Sequence, residues 1–159
     1  EITAGTGGGN FSPKARLTRG QFIVMLMKAY DIAQDANPKV NFSDAGDTYY
    51  TGYLSAAKRL GISVGIGNNR YAPENEITRQ EMFTLMYNAL LVIGRLPQGD
   101  SGKTLSDFSD AGQIASWAKE AMTLLVKTGI IEGNAGKLNP KNTITRAEMA
   151  QALYNSLRK

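Results

Sequence analysis

Three arginines recur in the same local sequence, and each has the chemistry to bind an anion. Arg19, Arg79 and Arg146 each follow a threonine, and each is followed two positions later by glutamine or glutamate. A planar guanidinium forms paired, charge-assisted hydrogen bonds with a carboxylate or a phosphate. One residue type at one position in three segments makes these arginines the first candidate binding residues.

The residues around each arginine predict the start of a helix. A threonine with Glu or Gln three positions later forms a capping box, and this pattern occurs at Thr18 with Gln21, Thr78 with Glu81, and Thr145 with Glu148. The box puts each arginine at the first helical position, where the helix dipole disfavours a cation. An acid within the chain could compensate, with four candidates: Glu81, Glu148, Asp44 and Asp110. An external anion, held by the guanidinium and by free backbone N–H groups, could compensate equally, and the threefold recurrence favours this second explanation.

The arginines belong to three copies of one unit. Phe-Ser-Asp opens the second and third copies at residues 42–44 and 108–110, and Gly-Ile follows at residues 61–62 and 129–130. A glycine loop with an aromatic residue or leucine and a proline then leads to the Thr-Arg pair. The first copy keeps the back half of this pattern, with Gly5, Phe11 and Pro13 in the corresponding places. Each complete unit therefore predicts helix, loop and helix.

Apolar residues in these segments repeat at helical spacing. The first helix of the third unit is predicted to bury one face, formed by Ile114, Trp117, Ala118, Ala121, Met122 and Leu125. The methionines also lie on such faces, namely Met25, Met82, Met86, Met122 and Met149, with Met27 as the exception. Core packing explains these methionines better than a binding groove does.

The predicted fold is all-α, with three units that share one core. One helical hairpin cannot bury its own apolar face, so the second helices are expected to pack around a pseudo-threefold axis. The predicted units are residues 1–35, 36–98 and 99–159. The first unit lacks its opening turn and first helix. We therefore expect its remaining helix to have an apolar face with no partner from its own unit, completed by a segment of the parent protein or by a neighbouring chain.

Composition excludes several classes of function. With 18 Lys and Arg against 14 Asp and Glu, the net charge is +4 without long basic runs, which argues against a nucleic-acid binder. The chain has no Cys and no His, so it has no disulfide, thiolate chemistry or zinc site of those ligands. The sequence contains no run of about 18 apolar residues, so we expect no membrane insertion. Glu81 and Glu148 are better explained as caps than as paired glycosidase carboxylates, so we expect no catalysis, metal or cofactor.

The combined motifs resemble the S-layer homology (SLH) family. "ITRAE" at residues 144–148, "ITRQE" at residues 77–81, the Phe-Ser-Asp openings and the Gly-Ile pairs are landmarks of that family. The resemblance implies a three-repeat module that anchors bacterial surface proteins to the cell wall, outside the cell. It also implies binding of secondary cell-wall polysaccharide in grooves between repeats, through a pyruvate ketal on N-acetylmannosamine. The carboxylate-binding arginine of the family corresponds to Arg19, Arg79 and Arg146.

Five further residues are candidates for supporting contacts in such grooves. Asp44 and Asp110 either accept hydrogen bonds from sugar hydroxyls or cap helices, and capping is the favoured role. Trp117 stacks on a sugar or, in the favoured alternative, is partly buried in the core. Gly65 and Gly133 allow close approach of a ligand or simply permit turns.

The first unit departs from the family signature. Gly20 and Gln21 replace its alanine and glutamate, which predicts a weaker cap. The grooves at Arg79 and Arg146 are expected to be better formed than the one that depends on the missing half. The alternative function is a self-assembly module whose arginines pair with acids of a neighbouring molecule.

Overall fold

The computed structural model describes residues 14–158 of the 159-residue chain. Within that range the backbone forms α-helices and isolated bridges but no strand, which confirms the predicted all-α class. The helices are α1 (Arg19–Ala29), α2 (Thr51–Leu60), α3 (Arg79–Val92), α4 (Lys119–Lys127) and α5 (Arg146–Arg158). Gly5, Phe11 and Pro13 lie outside the described residues. No helix in this range is long and apolar enough to cross a membrane.

The predicted capping boxes begin α1, α3 and α5. Thr18 Oγ1 accepts from the Gln21 N–H at 3.1 Å, and Gln21 Oε1 accepts from the Thr18 N–H at 3.0 Å. Glu81 and Glu148 make the same reciprocal contacts with their own threonines. Each box satisfies donors that a helix start leaves free and fixes the arginine at the first helical position.

The α2 and α4 helices end at the Gly-Ile pairs of the second and third units. Gly61 is left-handed at φ 78°, and the Ile62 N–H donates to the Ala57 carbonyl at 2.9 Å. Gly129 is left-handed at φ 85°, directly after the C-cap of α4. In both places a residue without Cβ lets the chain turn back and bury the isoleucine that follows.

The start of α4 differs from the prediction. Residues before Lys119 form short 3₁₀ turns, at Leu105–Asp107, Ala111–Gln113 and Ser116–Ala118. The tighter winding of a 3₁₀ turn rotates Trp117 out of the register of α4. Trp117 is therefore exposed, whereas Ala118, Ala121 and Met122 are buried as expected. The prediction that Trp117 lies on the buried face is wrong.

The described helices share one apolar core. The α1 helix packs on α2 and α3, and α3 packs on α4 and on the turn Ser116–Ala118. All six methionines are buried in that core, including Met27, the expected exception. Their packing role is confirmed, and the unbranched thioether suits the irregular gaps between crossing helices.

The apolar face of α1 is covered, and helices of the second unit contribute to that cover. Residues 22–27 are all buried, so its apolar side chains are covered around the helix. Contacts with both α2 and α3 account for part of this cover. Completion of the first unit by a further segment or by a neighbouring chain stays a prediction.

A ring of backbone hydrogen bonds connects the segments that precede α1, α3 and α5. The Arg19 N–H donates to the Asn75 carbonyl at 2.8 Å, Arg79 to Asn142 at 2.9 Å, and Arg146 to Ala15 at 3.1 Å. Each arginine thus donates to the residue four positions before the next one, and the third bond returns to the first unit. The pseudo-threefold packing of whole units and the unit boundaries stay predictions.

Candidate functional site: arginine grooves between units

Two of the three arginines pair with an acid of the following unit. Arg19 donates from Nη1 to Oε2 of Glu81, and from Nε to the Tyr71 carbonyl at 2.8 Å. Arg79 donates from Nη1 to Oε2 of Glu148 at 2.9 Å, and from Nε to the Leu138 carbonyl at 3.0 Å. The glutamates that cap α3 and α5 therefore also compensate the arginines of the preceding unit. The intramolecular explanation holds at both positions.

The first N–H groups of α1 and α3 are hydrogen-bonded within the chain. At α1 the Arg19 N–H is taken by Asn75, the Gly20 N–H by the Pro73 carbonyl at 2.8 Å, and the Gln21 N–H by the capping threonine. At α3 the N–H groups of Arg79 and Gln80 donate to carbonyls of the third unit. At α1 and α3 these N–H groups are therefore satisfied within the chain, while a ligand contact with N–H groups of α5 or of a glycine-rich turn stays a prediction.

An open groove nevertheless lies beside Arg19. It has a volume of about 420 Å³. Its lining is Arg19 and Glu81 with Ile62, Ser63, Val64, Gly65, Ile66, Thr84, Leu85, Asn88 and Trp117. We call this the Arg19 groove. It takes its arginine from the first unit, its loop and acid from the second, and its aromatic side chain from the third.

The wall of the Arg19 groove presents apolar surface to solvent. Trp117 is 56% exposed, and Val64 and Ile66 are also exposed. Isolated exposed apolar residues are ordinary, but an exposed indole in a groove with a charged floor is typical of a binding site. The sequence analysis named Trp117 and Gly65 here and missed Ser63, Val64, Ile66 and Asn88. The apolar residues flanking Gly65 were the available signal.

A second groove lies beside Arg79 and differs in character. It has a volume of about 590 Å³ and a polar lining of Arg16, Arg79, Gly133, Asn134, Asn139, Asn142, Thr143 and Glu148. Arg16 donates from Nη1 to the Thr143 carbonyl at 3.1 Å. We call this the Arg79 groove. Like the Arg19 groove, it is lined by one repeat arginine, one loop glycine and one capping glutamate. Unlike the Arg19 groove, it has no aromatic side chain among its lining residues.

Arg146 is buried at the start of α5, next to Tyr49. Burial lowers the pKa of Arg146, and the nearby Tyr49 opposes this shift. Tyr49 is exposed and occupies the turn before α2, as Trp117 occupies the turn before α4. The sequence analysis ranked the Arg19 groove below those at Arg79 and Arg146. Of the two grooves described above, the one beside Arg19 has an aromatic side chain in its wall, and the ranking of the three grooves stays a prediction.

Asp44 and Asp110 hold the glycine loops. Asp44 accepts from the N–H groups of Tyr71 and Ala72, and Asp110 accepts from those of Leu138 and Asn139, all at 2.8 Å. Neither side chain caps a helix, so the favoured prediction is wrong. Both oxygens of each carboxylate are used to position the loop whose carbonyl receives Nε of Arg19 or Arg79.

Gly65 and Gly133 are turn residues packed against the opening phenylalanines. Their φ angles are +80° and +77°. A Cβ would lie 2.3 Å from the Arg70 carbonyl oxygen at Gly65 and 2.4 Å from the Phe108 ring at Gly133. These contacts require glycine whether or not a ligand approaches. Both glycines also line an arginine groove, so a ligand role stays a prediction.

The sequence profile of the S-layer homology domain matches residues 1–23, 41–83 and 107–150, more than half of the chain. The chain belongs to the S-layer homology domain family. Several curated proteins also align with most of its length. The S-layer protein sap of Bacillus anthracis is 31% identical over 90% of the chain, and the surface-layer 125 kDa protein of Lysinibacillus sphaericus is 31% identical over 94%. The exoglucanase XynX of Acetivibrio thermocellus is 34% identical over 94%.

The SLH chain spans only a small part of these relatives. It covers 17% of the first, 12% of the second and 14% of the third. The shared region is therefore a module found both in surface-layer proteins and in an enzyme. Membership of this family associates the chain with the cell wall at the cell surface, where SLH domains act as anchoring modules.

Proposed function

We propose that this SLH module anchors its parent protein non-covalently by binding pyruvylated secondary cell-wall polysaccharide. The Arg19 groove is the principal site, and the Arg79 groove is a second one. The observation that carries the proposal is the meeting of Arg19, Glu81 and the exposed Trp117 in one open groove. A sugar that bears a pyruvate ketal has a carboxylate for the arginine and an apolar face for the indole.

Arg19 retains a donor for such a carboxylate. Nε and Nη1 are used by Tyr71 and Glu81, and among residues 14–158 no acceptor bonds to Nη2. Only 7% of the side chain is exposed, so the remaining donor acts in a partly desolvated place. Electrostatic attraction is stronger there than at an open surface. The Glu81 pair holds the guanidinium in place but also opposes a second negative charge.

Polar groups on the second unit suit the hydroxyl and amide groups of a sugar. Ser63 and Asn88 line the groove beside the indole. Asn88 donates from Nδ2 to the Ile62 carbonyl at 2.9 Å. This bond fixes the orientation of the side-chain amide. A few positioned polar groups on an otherwise apolar wall are typical of small-ligand sites.

Binding to purified cell-wall sacculi tests the proposal. The wild-type module is expected to bind sacculi and to lose binding when the pyruvate is removed chemically. Arg19→Lys should weaken binding at least about tenfold, because one ammonium cannot keep the geometry of the bonds to Tyr71 and Glu81 and also donate to the ligand. Arg59→Lys is the matched control, since Arg59 pairs with Asp35 away from both grooves. Unchanged binding after pyruvate removal would contradict the proposal.

The alternative is self-assembly through arginines that pair with acids of a neighbouring molecule. The pairs of Arg19 with Glu81 and of Arg79 with Glu148 lie within one chain, which removes the expected basis of that contact. Sedimentation of the module alone separates the two functions. A monomer that binds sacculi supports glycan anchoring, whereas concentration-dependent oligomers weakened by Arg79→Lys support self-assembly.

A further inference from the structure

Tyr71 makes three contacts with Arg19. The Arg19 Cζ atom lies 4.5 Å from the centroid of the Tyr71 ring. The Tyr71 hydroxyl donates to the Arg19 carbonyl at 3.0 Å, and the Tyr71 carbonyl accepts from Arg19 Nε at 2.8 Å. Tyr71 is fully buried and belongs to the second unit, whereas Arg19 belongs to the first. The tyrosine therefore holds both the backbone carbonyl and the guanidinium of Arg19, although the two residues are far apart in the sequence.

Tyr71 is itself held from two sides. Asp44 accepts from its N–H group at 2.8 Å, and the Phe42 ring lies 5.6 Å from its ring in a tilted arrangement. Desolvation by burial raises the pKa of the Tyr71 hydroxyl well above its usual range, so the hydroxyl stays a donor. A support of this kind restricts the rotation of the guanidinium stacked on it.

The Arg79 groove provides the same arrangement without the tyrosine. Leu138 stands in the place of Tyr71, and its carbonyl still accepts from Arg79 Nε while Asp110 still holds its N–H. The ring near Arg79 is Phe83 of its own helix, with its centroid 5.6 Å from Cζ. The Arg79 side chain is 18% exposed against 7% for Arg19. The two arginines thus differ in the ring that they contact, since the Tyr71 ring is nearer to Arg19 and comes from another unit, whereas the Phe83 ring is farther from Arg79 and belongs to its own helix.

We propose that Tyr71 is a positioning residue that makes the Arg19 groove the stronger anion-binding groove of the two. A guanidinium stacked on a buried ring at 4.5 Å and bonded loses less conformational freedom when a carboxylate binds than one held by a carbonyl, a more exposed acid and a ring 5.6 Å away. The inference rests on the proposed function, because it ranks two grooves for the same sugar carboxylate. It assigns the difference to a buried side chain that does not touch the ligand.

The test follows the Nε–H signals of Arg19 and Arg79 by nitrogen-15 NMR in the full chain. In the free protein, Arg19 is expected to show the more ordered Nε–H group. The methyl glycoside of pyruvylated N-acetylmannosamine should then shift the Arg19 signal at lower concentration than the Arg79 signal. Tyr71→Leu should make Arg19 as mobile as Arg79 and weaken binding at Arg19 about three- to thirty-fold, with Arg79 unchanged.

Two variants separate positioning from general stability. Tyr71→Phe keeps the ring and should retain the order of Arg19 and most of the affinity. Tyr30→Leu removes another buried tyrosine at the far end of α1, where it contacts Ser156, and should leave the Arg19 signal unchanged.

The inference and the proposed function fail in different ways. Equal mobility of the two arginines in the wild type, or equal affinity at both, overturns the role of Tyr71 and needs no variant to fold. Unchanged Arg19 affinity in Tyr71→Leu also overturns it. Absence of binding at both arginines contradicts the proposed function and the inference together.

Discussion

The arginine at the first helical position shows how a locally unfavourable residue is stabilised by distant contacts. Next to the positive end of a helix a guanidinium costs up to about 0.3–1 kcal/mol before screening. Glu81 and Glu148 offset this cost for Arg19 and Arg79, and each does so while it caps its own helix. One carboxylate thus serves two units. The Glu81 side chain is 21% exposed and that of Glu148 is 41% exposed, so the Arg19 pair is the better shielded of the two.

Replacing the shielded acid should change ligand affinity in a defined direction. Glu81→Gln is expected to strengthen binding of a carboxylate in the Arg19 groove by about fivefold, because it removes a negative charge that opposes the ligand. The cap should survive, since Gln21 forms the same box with Thr18 in the first unit. Titration with the pyruvylated glycoside, followed by Trp117 fluorescence, measures the change. Trp117 is the only tryptophan of the chain, so the signal has one source.

Glu132→Gln is the control for that measurement. Glu132 is exposed and does not line the Arg19 groove. The substitution Glu132→Gln removes the same charge from the molecule without changing the contacts of Arg19. Weaker binding in Glu81→Gln than in Glu132→Gln would show that the acid contributes more by holding Arg19 than it costs by repulsion.

At the scale of elements, each glycine loop depends on one aspartate. Desolvation raises the pKa of Asp110, but hydrogen bonds from Leu138 and Asn139 and the charge of Lys137 lower it more, so the pKa lies below its usual 3.8. Asp44 shows the same balance with Tyr71 and Ala72. Both loops present the carbonyl that receives an arginine Nε, which links the aspartate to the geometry of the groove.

Asp110→Asn should destabilise the fold in a pH-dependent way. The amide keeps one acceptor for two N–H donors, so the expected loss is about 1–3 kcal/mol of unfolding free energy at pH 7. Because the folded pKa is depressed, the contribution of the carboxylate is fully present above about pH 3.9. It is lost as the pH falls through the folded pKa. Urea denaturation at pH 7 and at pH 3 should therefore show a gap from wild type that narrows in acid.

Asp47→Asn is the matched control, because Asp47 is exposed. It should change stability little at either pH. A gap for Asp110→Asn that stays constant with pH would mean that shape, not charge, holds the loop.

A comparison of two glycines distinguishes the cost of backbone strain from the cost of a steric clash. Gly61 and Gly65 have φ angles of +78° and +80°, but an added Cβ meets nothing within 4 Å at Gly61 and lies 2.3 Å from the Arg70 oxygen at Gly65. Gly61→Ala should cost about 1 kcal/mol from the left-handed conformation. Gly65→Ala should cost at least about 2 kcal/mol more, because the loop must shift. Thermal denaturation of both variants measures the difference, and equal losses would contradict the close packing.

At the scale of the whole molecule, the ring of backbone hydrogen bonds joins the three helix starts. The bonds from Arg19, Arg79 and Arg146 each cross between units. The far ends of α1 and α5 are joined as well, where the Tyr30 and Ser156 hydroxyls lie 2.7 Å apart. Burial raises the pKa of Tyr30 to about 12, so this pair stays uncharged at physiological pH. Contacts at both ends predict that the units unfold together.

Native-state hydrogen exchange tests this cooperativity. The amides of Arg19, Arg79 and Arg146 should exchange only through global unfolding, with equal free energies that match the value from urea denaturation. The amide of Asp47, in an exposed turn, should exchange much faster. Faster exchange at Arg19 than at the other two arginines would show that α1 opens by itself.

The sequence by itself determined the elements and their signals. Capping boxes at Thr18, Thr78 and Thr145 set the helix starts, and Gly61 and Gly129 set the ends, because these effects act within one helical turn. The family motifs are also short stretches of sequence, so the all-α class and the candidate arginines could be predicted from them.

Only the tertiary structure decided what those residues contact. The pairing of Arg19 with Glu81, the support from Tyr71 and the exposure of Trp117 join residues of different units. Periodicity placed Trp117 on a buried face because it assumed a continuous α-helix, whereas a 3₁₀ turn precedes α4. Local patterns do not specify which carbonyls approach a helix end, since that depends on how the units pack. The groove beside Arg19 is therefore a property of the assembled units rather than of any one motif.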